Sequence, residues 1–95
     1  IHYGMSFAWD PIKAATNRQK HGVDFADAVG VFDDPYALSR PDHHPTEARI
    51  VTLGRDMLDR LIVVAWTWDE DNIRLIMARR ATPRERRQYA EDSDA

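Results

Sequence analysis

Between residues 48 and 80 the chain repeats one pattern three times: a stretch of aliphatic and aromatic residues, then a few polar ones. The stretches are ARIVTLGR (48–55), LDRLIVVAWTWD (58–69) and IRLIMARR (73–80), rich in the β-branched and aromatic residues that suit strands. The connections near Arg55 to Leu58 and at DEDN (69–72) are far shorter than the crossover of about a dozen residues that a parallel pair requires. Neighbouring strands must therefore run antiparallel. YALSR (36–40), ahead of a Pro/His turn at 41 to 45, adds a short fourth strand to the meander.

The preceding third of the chain has helical spacing. In WDPIKAATNRQKHG (9–22), Asp10 serves as N-cap, Pro11 as first helical residue and Gly22 as the left-handed stop. Ile12, Ala15 and Gln19 are expected to face inward and Lys13, Arg18 and Lys20 to face water. Lys20 and His21 fall in the last turn, where the helix dipole favours cations. VDFADAVGVFDDP (23–35) predicts a second helix, with Asp24 as N-cap, Asp27 three residues on, and an apolar stripe of Phe25, Ala28, Val29 and Phe32. At the far end Thr82, Pro83 and Glu85 spell a capping box with proline at the first helical position, opening a helix to about Tyr89 or Ala90. The order α-α-β-β-β-β-α predicts an α+β domain: two N-terminal helices, a four-stranded antiparallel sheet and a C-terminal helix.

A chain of 95 residues, 43% of them hydrophobic, supports one core and not two. The expected domain is 5–90, with 1–4 ahead of Met5 an expression remnant or upstream extension and 91–95 an acidic, frayed tail. Cysteine is absent, which excludes disulfides and thiolate zinc sites. No apolar stretch approaches the roughly 20 residues of a membrane span, and no secretory pattern opens the chain. The expected compartment is the cytoplasm, without a membrane partner.

The net charge is −3, yet the charges are segregated. Residues 1–73 hold 7 basic and 12 acidic side chains, whereas residues 74–90 hold six arginines and one acid, Glu85. Such a balance argues against indiscriminate adhesion to nucleic acid while leaving one surface able to hold a phosphate chain. By strict alternation Ile73, Leu75, Met77 and Arg79 share a strand face, with Leu75 and Met77 on the core side, and Arg74, Ile76, Ala78 and Arg80 share the other. Arg60 shares a face with Ile62, Val64 and Trp66. Two readings stand: the arginines solvate the surface and pair with carboxylates, or their planar forks grip phosphate. Trp66 and Trp68 read as core or as a protein contact. The PDHHP segment, with Asp42, His43 and His44, offers too few convergent ligands for a metal site, so no metal or cofactor is expected.

Taken together, FAWDPIKAATNRQKHGVDFADAVGVFDDP, RIVTLGR, LIVVAWTW and IRLIMARRATPRERRQY resemble the BrnT family of toxins from type II toxin–antitoxin modules, over nearly all of Phe7 to Tyr89. The most specific fragments are W-D-P-x-K, N-x-x-K-H-G-V-x-F and A-R-R-A-T-P-x-E-R-R. The resemblance implies a RelE-like fold and a metal-independent endoribonuclease whose activity arrests growth. It also implies a BrnA-type antitoxin that neutralises the chain in a hetero-oligomer and alone contacts operator DNA.

RNA cleavage without a metal uses the 2′-OH as nucleophile, so an enzyme must remove its proton, stabilise the phosphorane charge and protonate the leaving 5′-oxygen. Arginine serves only the second task, because it stays charged. Arg79 and Arg80 are the expected phosphorane clamp, with Arg60 and Arg74 as further phosphate ligands. His21, of the residue type that titrates near neutrality, and Lys20 are the proton-transfer candidates; both equally suit a helix C-terminus. Glu85 and Tyr89 stand in reserve, Glu85 also as capping-box residue. Arg84, Arg87 and Tyr89 are expected to bind RNA along the last helix. The competing class is a non-catalytic module whose arginine face only docks the antitoxin.

Overall fold

The computed structural model describes residues 6–92. The readings of residues 1–4 as a remnant and of 93–95 as frayed lie outside the described residues. The elements are β1 (Ser6–Ala8), α1 (Pro11–His21), α2 (Phe25–Ala28) continued by 3-10 turns (Val29–Asp33), β2 (Leu38–His43), β3 (Ala48–Arg55), β4 (Leu61–Asp69), β5 (Asn72–Arg80) and α3 (Pro83–Asp92). This is an α+β fold, but the expected four-stranded antiparallel sheet is corrected to five strands in mixed orientation, ordered β1-β5-β4-β3-β2. The strands from β2 to β5 are antiparallel as expected. The addition is β1, whose three residues pair in parallel with Asn72 to Arg74; so short a strand carries no readable period. The last helix also continues through Glu91 and Asp92, two residues into the segment expected to fray.

Each face of the sheet carries a core. On one side Val23, Phe25, Ala28 and Val31 pack onto Ile62, Val64, Trp66, Ile73, Leu75 and Ala78. On the other, Leu53, Leu61 and Val63 lie under Tyr89 and Ala81 at the α3 side. Each fully buried Phe, Ile or Leu contributes about 1.5–3 kcal/mol, so the first, larger cluster carries most of the stability. Trp66 belongs to it and donates its indole N–H to Thr52 Oγ1 at 2.8 Å. Trp68, 53% exposed, stacks edge-on against Trp66 with ring centroids 5.3 Å apart.

One irregularity overturns the expected face assignment on β5. Met77 lies opposite Ala65 but Leu75 lies opposite Trp66, so Ile76 is an extra residue in the ladder. A bulge of this kind reverses the alternation beyond it. Ile73, Leu75 and Ala78 accordingly face the same core, at spacings of two and then three. Arg80 lies opposite Ile62 and Arg79 opposite Val63, placing Arg80 on the α1/α2 side and Arg79 on the α3 side with Arg74.

The inward side of α1 also differs from expectation. Asp10 Oδ1 caps the helix by accepting from Ile12 N at 2.8 Å, and Gly22 (φ 70°) closes it with its N–H donating to Arg18 O. Between these ends the inward residues are Ala14 and Asn17, while Ile12 is 77% exposed. A polar clasp fixes the register: Asn17 Nδ2 donates to Ala78 O (2.9 Å) and Val23 O (3.0 Å), and Asn17 Oδ1 accepts from Ala78 N (3.1 Å). The clasp forms because β1 covers only the first three residues of β5, so among the described residues no strand lies beside the later margin. The side-chain amide supplies the partner that a strand residue would.

The turn between β3 and β4 sits against α2 and the 3-10 turns that continue it, with Met57 N donating to Asp27 O at 2.9 Å. A Cβ on Gly30 would stand 2.5 Å from Met57 N and 2.7 Å from Asp56 C, both backbone atoms. Gly30→Ala is therefore expected to lose about 1–3 kcal/mol through overpacking, seen as a lower urea midpoint with an unchanged slope.

Candidate active site

The C-terminus of α1, the start of β4 and the end of β5 meet at one corner of the molecule. Lys20 and His21 occupy the last turn of α1. Gly22, next in the chain, accepts from Arg60 Nη1 through its carbonyl at 3.3 Å, which fastens the helix end to the residue preceding β4. Arg80 emerges on the same side, opposite Ile62 and two residues past the Ala78 clasped by Asn17. Four sequence-derived candidates, Lys20, His21, Arg60 and Arg80, are thus brought to one corner.

Arg60 does not offer its whole charge there. Asp56, with a side chain 0% exposed, forms an ion pair with Arg60 Nη2 at 2.8 Å and accepts from Arg60 Nε at 2.9 Å, and its other oxygen accepts from the backbone N–H groups of Leu58 and Arg60. A buried carboxylate with three hydrogen bonds and this ion pair holds the guanidinium in one orientation. What remains of Arg60 is the Nη1 edge, which reaches Gly22. Arg80 is the reverse case: exposed, and among the described residues without a hydrogen-bond or ion-pair partner for its guanidinium. Lys20 and His21 likewise have no side-chain partner among the described residues.

The expected Arg79–Arg80 clamp does not form, because strand neighbours face opposite ways and the bulge assigns Arg79 to the α3 face. There Arg79 Nη1 and Nη2 donate to the two oxygens of Glu85 at 2.8 and 2.9 Å. Glu85 completes the capping box, Oε1 accepting from Thr82 N at 2.8 Å while Thr82 Oγ1 accepts from Glu85 N at 3.2 Å. The Arg79 guanidinium, aided by these Thr82 contacts, holds the Glu85 carboxyl down at about 2, and Glu85 in turn raises Arg79. Folding depresses this carboxyl, so its contribution is whole above the ordinary value of 4.5 and fades as pH falls through about 2. After solvent screening the pair is worth about 1 kcal/mol. Glu85→Gln is expected to lose that amount at pH 7, with the two denaturation curves converging as the pH approaches 2.

The remaining candidates are dispersed. Arg74 donates to Glu47 at 3.3 Å, and Glu47 lies below its ordinary range because of Arg49 first and Arg74 second. Tyr89 turns towards the sheet, donating to Asp34 Oδ2 at 2.7 Å under the Arg55 guanidinium, 5.6 Å above its ring. Desolvation, and then the Asp34 carboxylate that accepts its proton, push Tyr89 up to about 12. It is a fixed donor and not a base. Arg84 and Arg87 stand on the outer side of α3, exposed and unpaired among the described residues.

Sequence reasoning missed Asn17, Asp56, Asp34 and Arg55, which fix the site and the last helix in place. Asp56 left the clearest trace, because Asp at the head of a DMLD turn invites its carboxylate to accept local N–H groups. Asp34 does the same with Tyr36 N and reaches across to Arg55 N. Among the described residues no group of three or more His, Cys, Asp or Glu is arranged to hold a metal ion, and no helix is long and apolar enough to cross a membrane.

Comparison with known proteins gives this geometry a family. The crystal structure of the Brucella abortus ribonuclease toxin BrnT superposes with a TM-score of 0.62 at 25% sequence identity, covering 82% of this chain and 97% of that one. No curated protein matches the sequence. The family description of BrnT, ribonuclease toxin of type II toxin–antitoxin systems, matches residues 9–85, which hold α1 to β5, the clasp and the whole of the Lys20–His21–Arg60–Arg80 corner. The chain belongs to the BrnT family of type II toxin–antitoxin ribonuclease toxins.

Proposed function

We propose that this chain is an endoribonuclease that cleaves RNA by 2′-OH attack on the adjacent phosphorus, without a metal, at the corner formed by α1, β4 and β5. The observation that carries the reading is that Arg80, without a partner among the described residues, emerges at the corner where Lys20 and His21 end α1, at a point where Arg60 and Asn17 both fasten the helix end to the sheet. Arg80 stabilises the charge that gathers on the phosphorane oxygens. His21 takes the 2′-OH proton or returns one to the leaving 5′-oxygen, with Lys20 as its counterpart. Arg60, its charge offset by Asp56, acts chiefly by holding the α1 end in register. Arg74 and Arg79 would bind phosphate only after leaving Glu47 and Glu85, which makes them secondary RNA ligands; Arg84 and Arg87 add a diffuse attraction along α3.

The family description places the chain in a two-component system. We infer a BrnA-type antitoxin as partner, a hetero-oligomer as the resting state, operator DNA contacted only through that partner, and the cytoplasm as the setting. A second reading, an arginine surface that only docks the antitoxin, draws support from the pairing of Arg60, Arg74 and Arg79 with carboxylates. Purified chain with RNA in chelator separates the two. Fragments ending in 2′,3′-cyclic phosphate are expected, and intact RNA after prolonged incubation would leave docking alone.

A further inference from the structure

We propose that the open channel between α1 and the uncovered margin of β5 is a track for the single-stranded RNA flanking the scissile phosphate. This rests on the ribonuclease reading for its purpose but, Lys20 apart, on separate residues for its chemistry. The channel has a volume of about 250 Å³, with Ile12, Lys13, Thr16 and Lys20 on the helix side and Ile76 and Met77 on the strand side. Lys13 and Lys20, seven residues apart, share one flank of α1 and stand about 10 Å apart along it. Neither has a partner among the described residues, whereas Arg18 on another flank pairs with Asp24 at 3.6 Å. In a chain of net charge −3, two uncompensated lysines in line form a cationic rail that points to Arg80.

The opposite wall is apolar, and Ile12 is 77% exposed with nothing described covering it. Single-stranded RNA carries phosphates along one edge and bases with apolar faces along the other, and a rail beside an apolar wall meets both. An acidic protein segment suits the site less well. Such a segment would gain affinity by adding a strand to the β5 margin, but Asn17 already occupies the N–H and the carbonyl of Ala78 there. The bulge at Ile76 further breaks the ladder that a new strand would need.

The test is fluorescence anisotropy of the full chain with a fully 2′-O-methylated oligonucleotide, which lacks the nucleophile and cannot be cleaved. Lys13→Glu is expected to weaken binding about tenfold at low salt, and Lys13→Gln to reduce the slope of log K against log[salt] by about 0.7, the share of one phosphate contact. Ile12→Ser should weaken binding with that slope unchanged. Arg40→Glu, on the far sheet margin, makes the same charge change and should leave affinity unaltered. Equal losses in Lys13→Glu and Arg40→Glu, or none in Lys13→Glu, overturn the track. A poly-glutamate peptide binding with the same Lys13 dependence also overturns it and assigns the channel to an acidic protein partner. Lys13-dependent binding of the methylated oligonucleotide together with intact natural RNA would sink the cleavage reading alone.

Discussion

Arg80→Ala is expected to lower kcat for RNA cleavage by about 10²–10³, the loss found when one preorganised donor to a developing oxyanion is removed. The structure makes this a clean substitution. The Arg80 side chain is exposed and has no described partner, so its removal should change stability by no more than about 0.5 kcal/mol and leave the circular dichroism spectrum unchanged. Arg80→Lys should recover only part of the rate, because an ammonium keeps the charge but not the planar fork. Arg79→Ala supplies the contrast. Its guanidinium is bound to Glu85 on the opposite face, so stability is expected to fall while most of the cleavage rate remains. Equal activity in wild type and Arg80→Ala, or a larger loss in Arg79→Ala, would place the reaction on the α3 side instead.

The second large effect is on stability. Asp56→Ala is expected to cost about 3–5 kcal/mol, because truncation leaves Arg60 beside a cavity with no counter-charge and strips the β3–β4 turn of its acceptor. Asp56→Asn keeps an oxygen for Leu58 N and Arg60 N and should lose less. Removing the stranded charge as well, in Asp56→Ala with Arg60→Ala, is expected to recover part of the deficit. With Arg60→Ala alone added, urea denaturation of wild type, Asp56→Ala, Arg60→Ala and the double variant forms a double-mutant cycle, and simple additivity in it would show that the pair does not act as a unit. Activity should fall in each variant, because the bond from Arg60 to Gly22 slackens when Asp56 is replaced and is lost when Arg60 is.

What the sequence made legible depended on how local the determining physics was. The capping box at Thr82 and Glu85 formed as read, and so did the caps of α1 at Asp10 and Gly22, because each involves neighbours a few residues apart. The antiparallel run from β2 to β5 was readable from short connections. The parallel pairing of β1 was not, since its partner lies more than sixty residues away and three residues show no pattern. Asn17 was hidden for a related reason: its carboxamide answers a vacancy on β5 that exists only once β1 is seen to end at Ala8. Within the candidate site, the joining of Lys20, His21, Arg60 and Arg80 depended on contacts between distant segments. That Arg79 and Arg80 face opposite ways follows from strand alternation, but which of them meets the corner depended on a single unpaired residue that periodicity had no means to reveal.

That residue gives Ile76 a function beyond the space it fills. By advancing the strand half a pleat, it decides which of two adjacent cations serves as a rivet for the terminal helix and which is left without a partner among the described residues. Pairing Ile76 into the ladder would slip the strand end by one residue and exchange their stations, presenting Arg80 to Glu85 and Arg79 to the corner beside His21, whereas excising it would leave both where they are. The assignment of chemistry between these neighbours thus resides in a miscount of the backbone rather than in either side chain.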